Sequence, residues 1–169
     1  LLVLGLAASF LHLGRPARAW RAWMMWRTSW LSREVIVLPA FIALVAAWWM
    51  VAPDPAAATA SLLLPVAAIA AAALLWVCTA MIYACLRFIE EWAQPLTVVN
   101  FVLLGVSSGL VLACALAALA GERAGLAAAL PSAIGATVVA AAARVAALRR
   151  NAAIRHRSTL QSATGIVAA

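Results

Sequence analysis

The sequence predicts an all-α, polytopic transmembrane helix bundle, and three observations predict it. Of the 169 residues, 68% are hydrophobic and 10% are charged, whereas a soluble domain carries about 25% charge. Long uncharged runs recur along the chain, each near the ~20 residues that cross a bilayer. The charges collect between those runs. This composition excludes disordered, collagen-like and coiled-coil chains, which need polar or repeated sequence. The runs read as helices because lipid offers the backbone no hydrogen bonds. No linker is long enough to separate domains and no internal repeat is visible. The reading is therefore one transmembrane domain over residues 1–169.

About five spans are expected, the first truncated. Residues 1–13 open with LLVLGLAASFL, eleven residues before His12. That is roughly 16 Å of helix, half a bilayer. No basic segment or small-residue cleavage site precedes His12, so a spanning helix without its start is expected, not a signal peptide. Gly14 and Pro16 then stop that helix. Residues 16–31 predict a helix lying in the interface. At 100° per residue Trp23, Trp26 and Trp30 fall within about 60° of one another, with Arg18 and Arg21 pointing away. The plainer reading of those tryptophans is an aromatic belt that anchors the bundle.

Four further spans are expected at about 35–52, 62–86, 97–120 and 126–148. Their uncharged cores, Val35–Ala52, Leu62–Leu86, Thr97–Ala120 and Leu126–Ala143, hold eighteen, twenty-five, twenty-four and eighteen residues. Pro39, Pro65 and Pro131 are expected in first turns, where a missing N–H matters little. Short connections follow: a Pro-Asp-Pro turn at 53–55, then RFIEEWAQPL at 87–96, GERAG at 121–125 and RRNAAIRHR at 149–157. Gly105 and Gly109, with Ser107 and Ser108, predict close helix packing. Cys78, Cys85 and Cys114 lie in apolar runs without a CxxC pair, so small buried hydrophobes are expected.

Twelve basic residues, all arginine, face five acids. With ends assigned alternately, residues 12–34, 87–96 and 149–157 hold five, one and four arginines on one side, and the other side holds only Arg123. Arg144 can snorkel to the rich side. Positive-inside bias makes the rich side cytoplasmic; arginines that dock a partner protein would give the same bias. The basic residues are divided among membrane-edge loops and form no single patch, so nucleic-acid binding is not indicated. No metal-ligand cluster is present.

His12 ends one apolar segment and Glu34 begins the next, so both sit at the same membrane edge. Ionisable residues there are often merely solvated. Framed by tryptophans, such a pair can also serve a quinone. A quinone site needs an apolar slot, a partner for each oxygen and a proton route to water. Histidine titrates near pH 6.5 and can exchange a proton with a quinone oxygen, and a carboxylate can relay it. Tyr83 can reach a quinone oxygen or simply satisfy its hydroxyl at the interface.

The pattern HLG-x-P-x-R-A from His12 to Ala19, followed by LS-x-E at Leu31–Glu34, resembles the membrane anchor subunit of the dimethyl sulfoxide reductase family. Tyr83, Trp92, Pro95–Thr97 and the small-residue helix after them extend the likeness, which covers most of residues 9–36 and 81–109. The resemblance implies an eight-span anchor of which this chain would be a fragment. It implies a quinone site, for menaquinone or ubiquinone, using His12 and Glu34, with Arg15 steadying the loop and Tyr83 nearby. Partner subunits would carry the iron–sulfur clusters and the molybdopterin, docked against Arg18, Arg21, Arg27 and Arg33. A bacterial inner-membrane location follows. This chain would hold no haem, and its second histidine, His156, lies in a polar loop. In the best-known relatives the catalytic subunits face outward. Here the motif lies on the arginine-rich side, which resembles the cytoplasm-facing sulfite dehydrogenase branch, as does the tail at 157–166. A cytochrome b-type anchor and a multi-span transporter or assembly protein are the alternatives. Uncharged span interiors speak against the transporter.

Overall fold

The computed structural model describes residues 2–11, 16–54 and 57–154. Its described residues form α1 (Leu2–Leu11), a 3₁₀ helix (Pro16–Trp23), α2 (Trp30–Val51), α3 (Ala58–Ala84), α4 (Pro95–Leu119) and α5 (Arg123–Ala152), with no strand among them. The four long helices have 22, 27, 25 and 30 residues. At about 1.5 Å per residue each exceeds the ~30 Å of a hydrocarbon core. All four are apolar enough to span it, and the chain is a multi-pass helical membrane protein.

Each long helix begins before its uncharged run. A charge-free run marks only the part that lies in lipid, while the helix continues into the interface on polar residues. Pro39, Pro65 and Pro131 therefore stand inside their helices, not in first turns as expected. Each removes one backbone donor, a loss that spanning helices absorb through local adjustment and neighbouring groups.

The helix ends have local causes. Ser29 takes an extended conformation and its hydroxyl accepts from Ser32 N–H, starting α2. Pro95 occupies the first turn of α4, where it has no donor to lose. After α4 the chain reverses at Gly121, whose φ of 74° suits a residue without Cβ. Glu122 N–H reaches Ala117 O and Gly121 N–H reaches Ala118 O, which closes the helix in a Schellman motif.

The interfacial segment differs from the expected helix over 16–31. A 3₁₀ helix ends at Trp23, turns occupy 24–28, and Trp30 already belongs to α2. A single straight helix cannot run along the membrane surface and then enter it. The turn divides the tryptophans, leaving Trp20, Trp23 and Trp26 all exposed.

Consecutive helices pack in sequence, α2 on α3, α3 on α4 and α4 on α5. The α4–α5 interface is built from small residues seven apart: Asn100, Ser107 and Cys114 on α4, Ala133, Ala140 and Ala147 on α5, all buried. A seven-residue repeat keeps one face toward a neighbour, and small side chains let two backbones approach. Large apolar residues such as Trp49, Leu62, Ile69 and Leu119 point outward, since between helices in lipid there is no water-driven collapse. Gly105 is a seat for a side chain: a Cβ there would lie 2.5 Å from Trp76 Nε1, whereas one on Gly109 would meet nothing within 4 Å. Cys78 and Cys114 are buried as expected; Cys85 is exposed because it caps α3 as the helix leaves the packed region.

Candidate functional site

Alternating helix directions bring residues 16–34, 85–94 and 149–154 to one end of the molecule. Contacts join the last two of these segments. Arg150 donates to Glu90 O at 3.1 Å, and Gln94 Nε2 donates to Asn151 Oδ1 at 3.2 Å. This is the arginine-rich end, and it carries two polar places along α3.

The first is the α2–α3 seam. Glu34, in the second turn of α2, is half-buried, and its Oε1 lies 2.7 Å from Thr79 Oγ1 on α3. Thr79 Oγ1 is also 3.0 Å from Leu75 O one turn back. A threonine hydroxyl has one proton and two lone pairs. With Glu34 ionised, the hydroxyl donates to the carboxylate. With Glu34 protonated, the acid can donate to the hydroxyl, which then donates to Leu75 O. The carboxyl group thus keeps a partner in both protonation states, which suits a group that passes protons. Ser32 of the LS-x-E motif is also buried, 4% exposed.

The second is a cleft of about 970 Å³ between α3, α4 and α5. Tyr83 stacks on Phe101 with centroids 5.4 Å apart and meets Trp92 edge-on at 5.2 Å; all three line the cleft. Gln94 and Asn100 face it as well. Their amide nitrogens are engaged, Gln94 Nε2 by Glu91 O at 2.8 Å and by Asn151, and Asn100 Nδ2 by Leu96 O at 2.7 Å. Their carbonyl oxygens are buried with no hydrogen-bond partner.

The expected site residues are distributed as follows. Glu34 is on the seam. Tyr83 follows Thr79 by one turn on α3, but its ring contacts go to α4 and the preceding loop. His12 and Arg15 lie outside the described residues, as do His156 and the tail at 157–166. Arg18, Arg21 and Arg27 are exposed; Arg21 and Arg27 lie near the rings of Trp20 and Trp26, 5.5 and 5.8 Å from the centroids. Arg33 is engaged locally. Its guanidinium sits 4.1 Å from the Trp30 ring centroid and donates to Trp26 O at 2.9 Å and Arg27 O at 3.0 Å, stapling the turn that leads into α2. Sequence reasoning missed Thr79, Gln94, Asn100, Trp76 and Arg144. For Asn100 a signal existed: an amide inside an apolar span has few reasons to be there.

The likeness to a known family runs over the whole chain. The family model described as "DMSO reductase anchor subunit (DmsC)" covers residues 1–169. The chain belongs to the DMSO reductase anchor subunit family. It is 50% identical over 182 aligned positions to a subunit of the sulfite dehydrogenase of Allochromatium vinosum. That match takes in 98% of this chain and 54% of the relative, so the chain spans about half the length of the curated relative it matches. No solved structure matches it.

Proposed function

We propose that this DMSO reductase-family anchor ties a molybdenum–iron–sulfur oxidoreductase to the bacterial inner membrane and exchanges its electrons with the quinone pool. The observation that carries the reading is the Glu34–Thr79 contact at 2.7 Å in an otherwise apolar seam, at the membrane edge. A bound quinone would supply two-electron chemistry coupled to two protons. This chain's part is the proton traffic and the positioning. Glu34 exchanges its proton with water at the arginine-rich edge while Thr79 holds the carboxyl group through both protonation states. His12, twenty-two positions earlier in the motif, hydrogen-bonds the quinone oxygen, and Arg15 steadies the same loop.

An iron–sulfur subunit docks on this end, facing Arg18, Arg21 and Arg27, and connects to a molybdopterin catalytic subunit. Arg33 contributes by fixing the turn that presents them. The likeness to a sulfite dehydrogenase subunit supports a sulfite-oxidising complex; the arginine bias supports the cytoplasmic side, and oxidation of sulfite there would send electrons to the quinone. Protons would then be delivered, not collected, at Glu34 and His12.

The test uses the assembled complex. Replacing His12 by Ala should abolish quinone-linked turnover and leave turnover with an artificial electron carrier intact; equal loss in both assays removes the mechanism. Reporter fusions at Pro53 and Asn151 test sidedness. A cytoplasmic signal at Asn151 is expected, and one at Pro53 overturns the orientation. Copurification of an iron–sulfur subunit and a large molybdopterin subunit is the expected partner set.

A further inference from the structure

We infer that Arg18, Arg21 and Met24 form one docking line for the soluble partner of this anchor, and that the partner answers it with a row of carboxylates about 6 Å apart leading to an apolar socket. The inference rests on the reading that a soluble electron-transfer subunit binds the arginine-rich end.

The line comes from a match between sequence and helix type. Residues 18–23 run Arg-Ala-Trp-Arg-Ala-Trp, a repeat of three. They fold within the 3₁₀ helix Pro16–Trp23, in which side chains at i and i+3 stand above one another. The repeat is thereby sorted into three lines about 120° apart. Arg18 and Arg21 form one, Trp20 and Trp23 the second, Ala19 and Ala22 the third. Met24 N–H reaches Arg21 O at 3.1 Å, which carries the three-residue step on to Met24 and extends the arginine line.

Burial agrees with this sorting. The 3₁₀ helix packs on α2. Ala19 and Ala22 are half-buried, whereas Arg18, Trp20, Arg21, Trp23 and Met24 are all exposed. The alanine line rests on the molecule and the other two look outward. Those two suit different surroundings, tryptophan the head-group boundary and arginine water or an anion.

The arginine line has no anion in its own segment, because residues 16–33 carry four arginines and no acid. Arg21 lies 5.5 Å from the Trp20 ring centroid, a contact that consumes none of its five N–H donors. An anion from outside meets the line best as a row. One 3₁₀ turn advances about 6 Å, which is also the rise between residues i and i+4 of an α-helix. Acidic side chains four apart on a partner helix therefore match the line one to one, and arginine takes carboxylates bidentately. Lipid phosphates are anions too, but they are mobile and hold no spacing, so a membrane surface gains nothing from a line over a scatter. Met24 adds an adaptable apolar contact at the end of the row. Arginine, methionine and aromatic residues are also what protein interfaces concentrate.

The test is made on the full-length anchor with the soluble subunits that copurify with it. The 169 residues contain twelve basic residues, all arginine, so Arg18→Lys and Arg21→Lys each place a single new amine on the line. Carbodiimide, which joins an amine to a carboxylate, should couple each variant to an acidic residue of the soluble subunit, and the two acidic residues should lie about 6 Å apart. The double exchange Trp20→Arg with Arg21→Trp keeps composition and charge but breaks both outward lines. Stripped soluble subunit should rebind it at least about tenfold more weakly than wild type, as the loss of one charge-assisted contact predicts. Arg18→Gln, which leaves the fold of the segment untouched, should weaken rebinding several-fold, chiefly through slower association, and flatten its salt dependence. Arg123→Gln, at the other end of the molecule, should behave as wild type. Wild type should rebind equally well in bilayers of phosphatidylcholine alone and in bilayers containing phosphatidylglycerol. A requirement for phosphatidylglycerol gives the line to lipid phosphates and overturns the inference. So does coupling to no partner carboxylate, or to carboxylates far apart, or rebinding of the exchange and Arg18→Gln variants as tight as wild type's; in those cases the soluble subunit still copurifies and the anchor reading stands. If no soluble subunit copurifies with wild type, both fall.

Discussion

On the α2–α3 seam, Glu34 has a partner at 2.7 Å and that partner has a second acceptor behind it. At the same end of the molecule, Gln94 and Asn100 hold their carbonyl oxygens buried and unpaired beside a cleft of about 970 Å³. Both places put polar groups where lipid forbids waste. The seam is closed by protein alone and suits a small mobile species, the proton. The cleft is left open by the protein, and the two unpaired oxygens lie buried in its wall. A hydroxyl can serve two acceptors in turn, whereas an amide whose nitrogen is engaged leaves its oxygen dependent on what packs over it.

The largest effect expected from breaking this contrast is at Glu34. Glu34→Gln keeps the shape and the contact to Thr79 but removes the exchangeable proton. Quinone-linked turnover of the complex should fall by about 10²–10⁴-fold, the usual contribution of a positioned acid or base. Turnover with an artificial carrier should stay unchanged. An effect on both assays alike would mean that Glu34 holds the fold and not a proton path.

Next is the seat of Trp76. Gly105→Ala places a Cβ 2.5 Å from the indole nitrogen, so the ring must leave its position or the helices must part. Overpacking of this kind costs about 1–3 kcal/mol. Gly109→Ala, with nothing within 4 Å, should fall within about 0.5 kcal/mol of wild type. Thermal unfolding in one detergent compares the two. Equal stability would mean that α3 and α4 do not press on each other at Gly105.

Thr79 sharpens the seam. Thr79→Val removes the hydroxyl at nearly constant volume and leaves the Glu34 carboxylate without its cross-helix donor. A hydrogen bond to a charged group is worth about 1.5–3 kcal/mol, so quinone-linked turnover should fall at least about tenfold. Thr79→Ser restores the hydroxyl and should restore most of the rate. Loss in both variants alike would assign Thr79 to packing.

Much of this was legible in the sequence. Charge-free runs located the spanning helices because lipid admits little else, and the arginine bias grouped the loops that the structure joins through Arg150 and Gln94. The HLG-x-P and LS-x-E motifs pointed to Glu34 and to the family. What stayed hidden depends on rotation about a helix axis. In a run apolar on every face, no periodic pattern tells which side of α3 faces α2. Thr79 and Tyr83, four apart, share one face of α3, and only the packed structure shows that the first contacts Glu34 while the second contacts Phe101. The division of the 16–31 segment was hidden for another reason. Its tryptophans fit a helical repeat, while the change of direction needed to enter the membrane is a three-dimensional constraint that composition does not record.

The smallest expected effect lies between α4 and α5, where Ser107 Oγ and Thr137 Oγ1 are 3.0 Å apart. Thr137 Oγ1 is also 2.7 Å from Ala133 O, so its single proton goes there and Ser107 is the donor across the interface. Ser107→Ala then removes one interhelical bond and leaves Thr137 satisfied on its own helix. Interhelical hydrogen bonds of this kind average about 0.6 kcal/mol, and a loss of that size is expected in unfolding measurements. Thr137→Val should cost slightly more, because it leaves the buried Ser107 hydroxyl to find another acceptor. A double-mutant cycle isolates the pair. A coupling near zero would mean that the seven-residue stripe of Ala133, Ala140 and Ala147 holds these helices together without help from the hydroxyls.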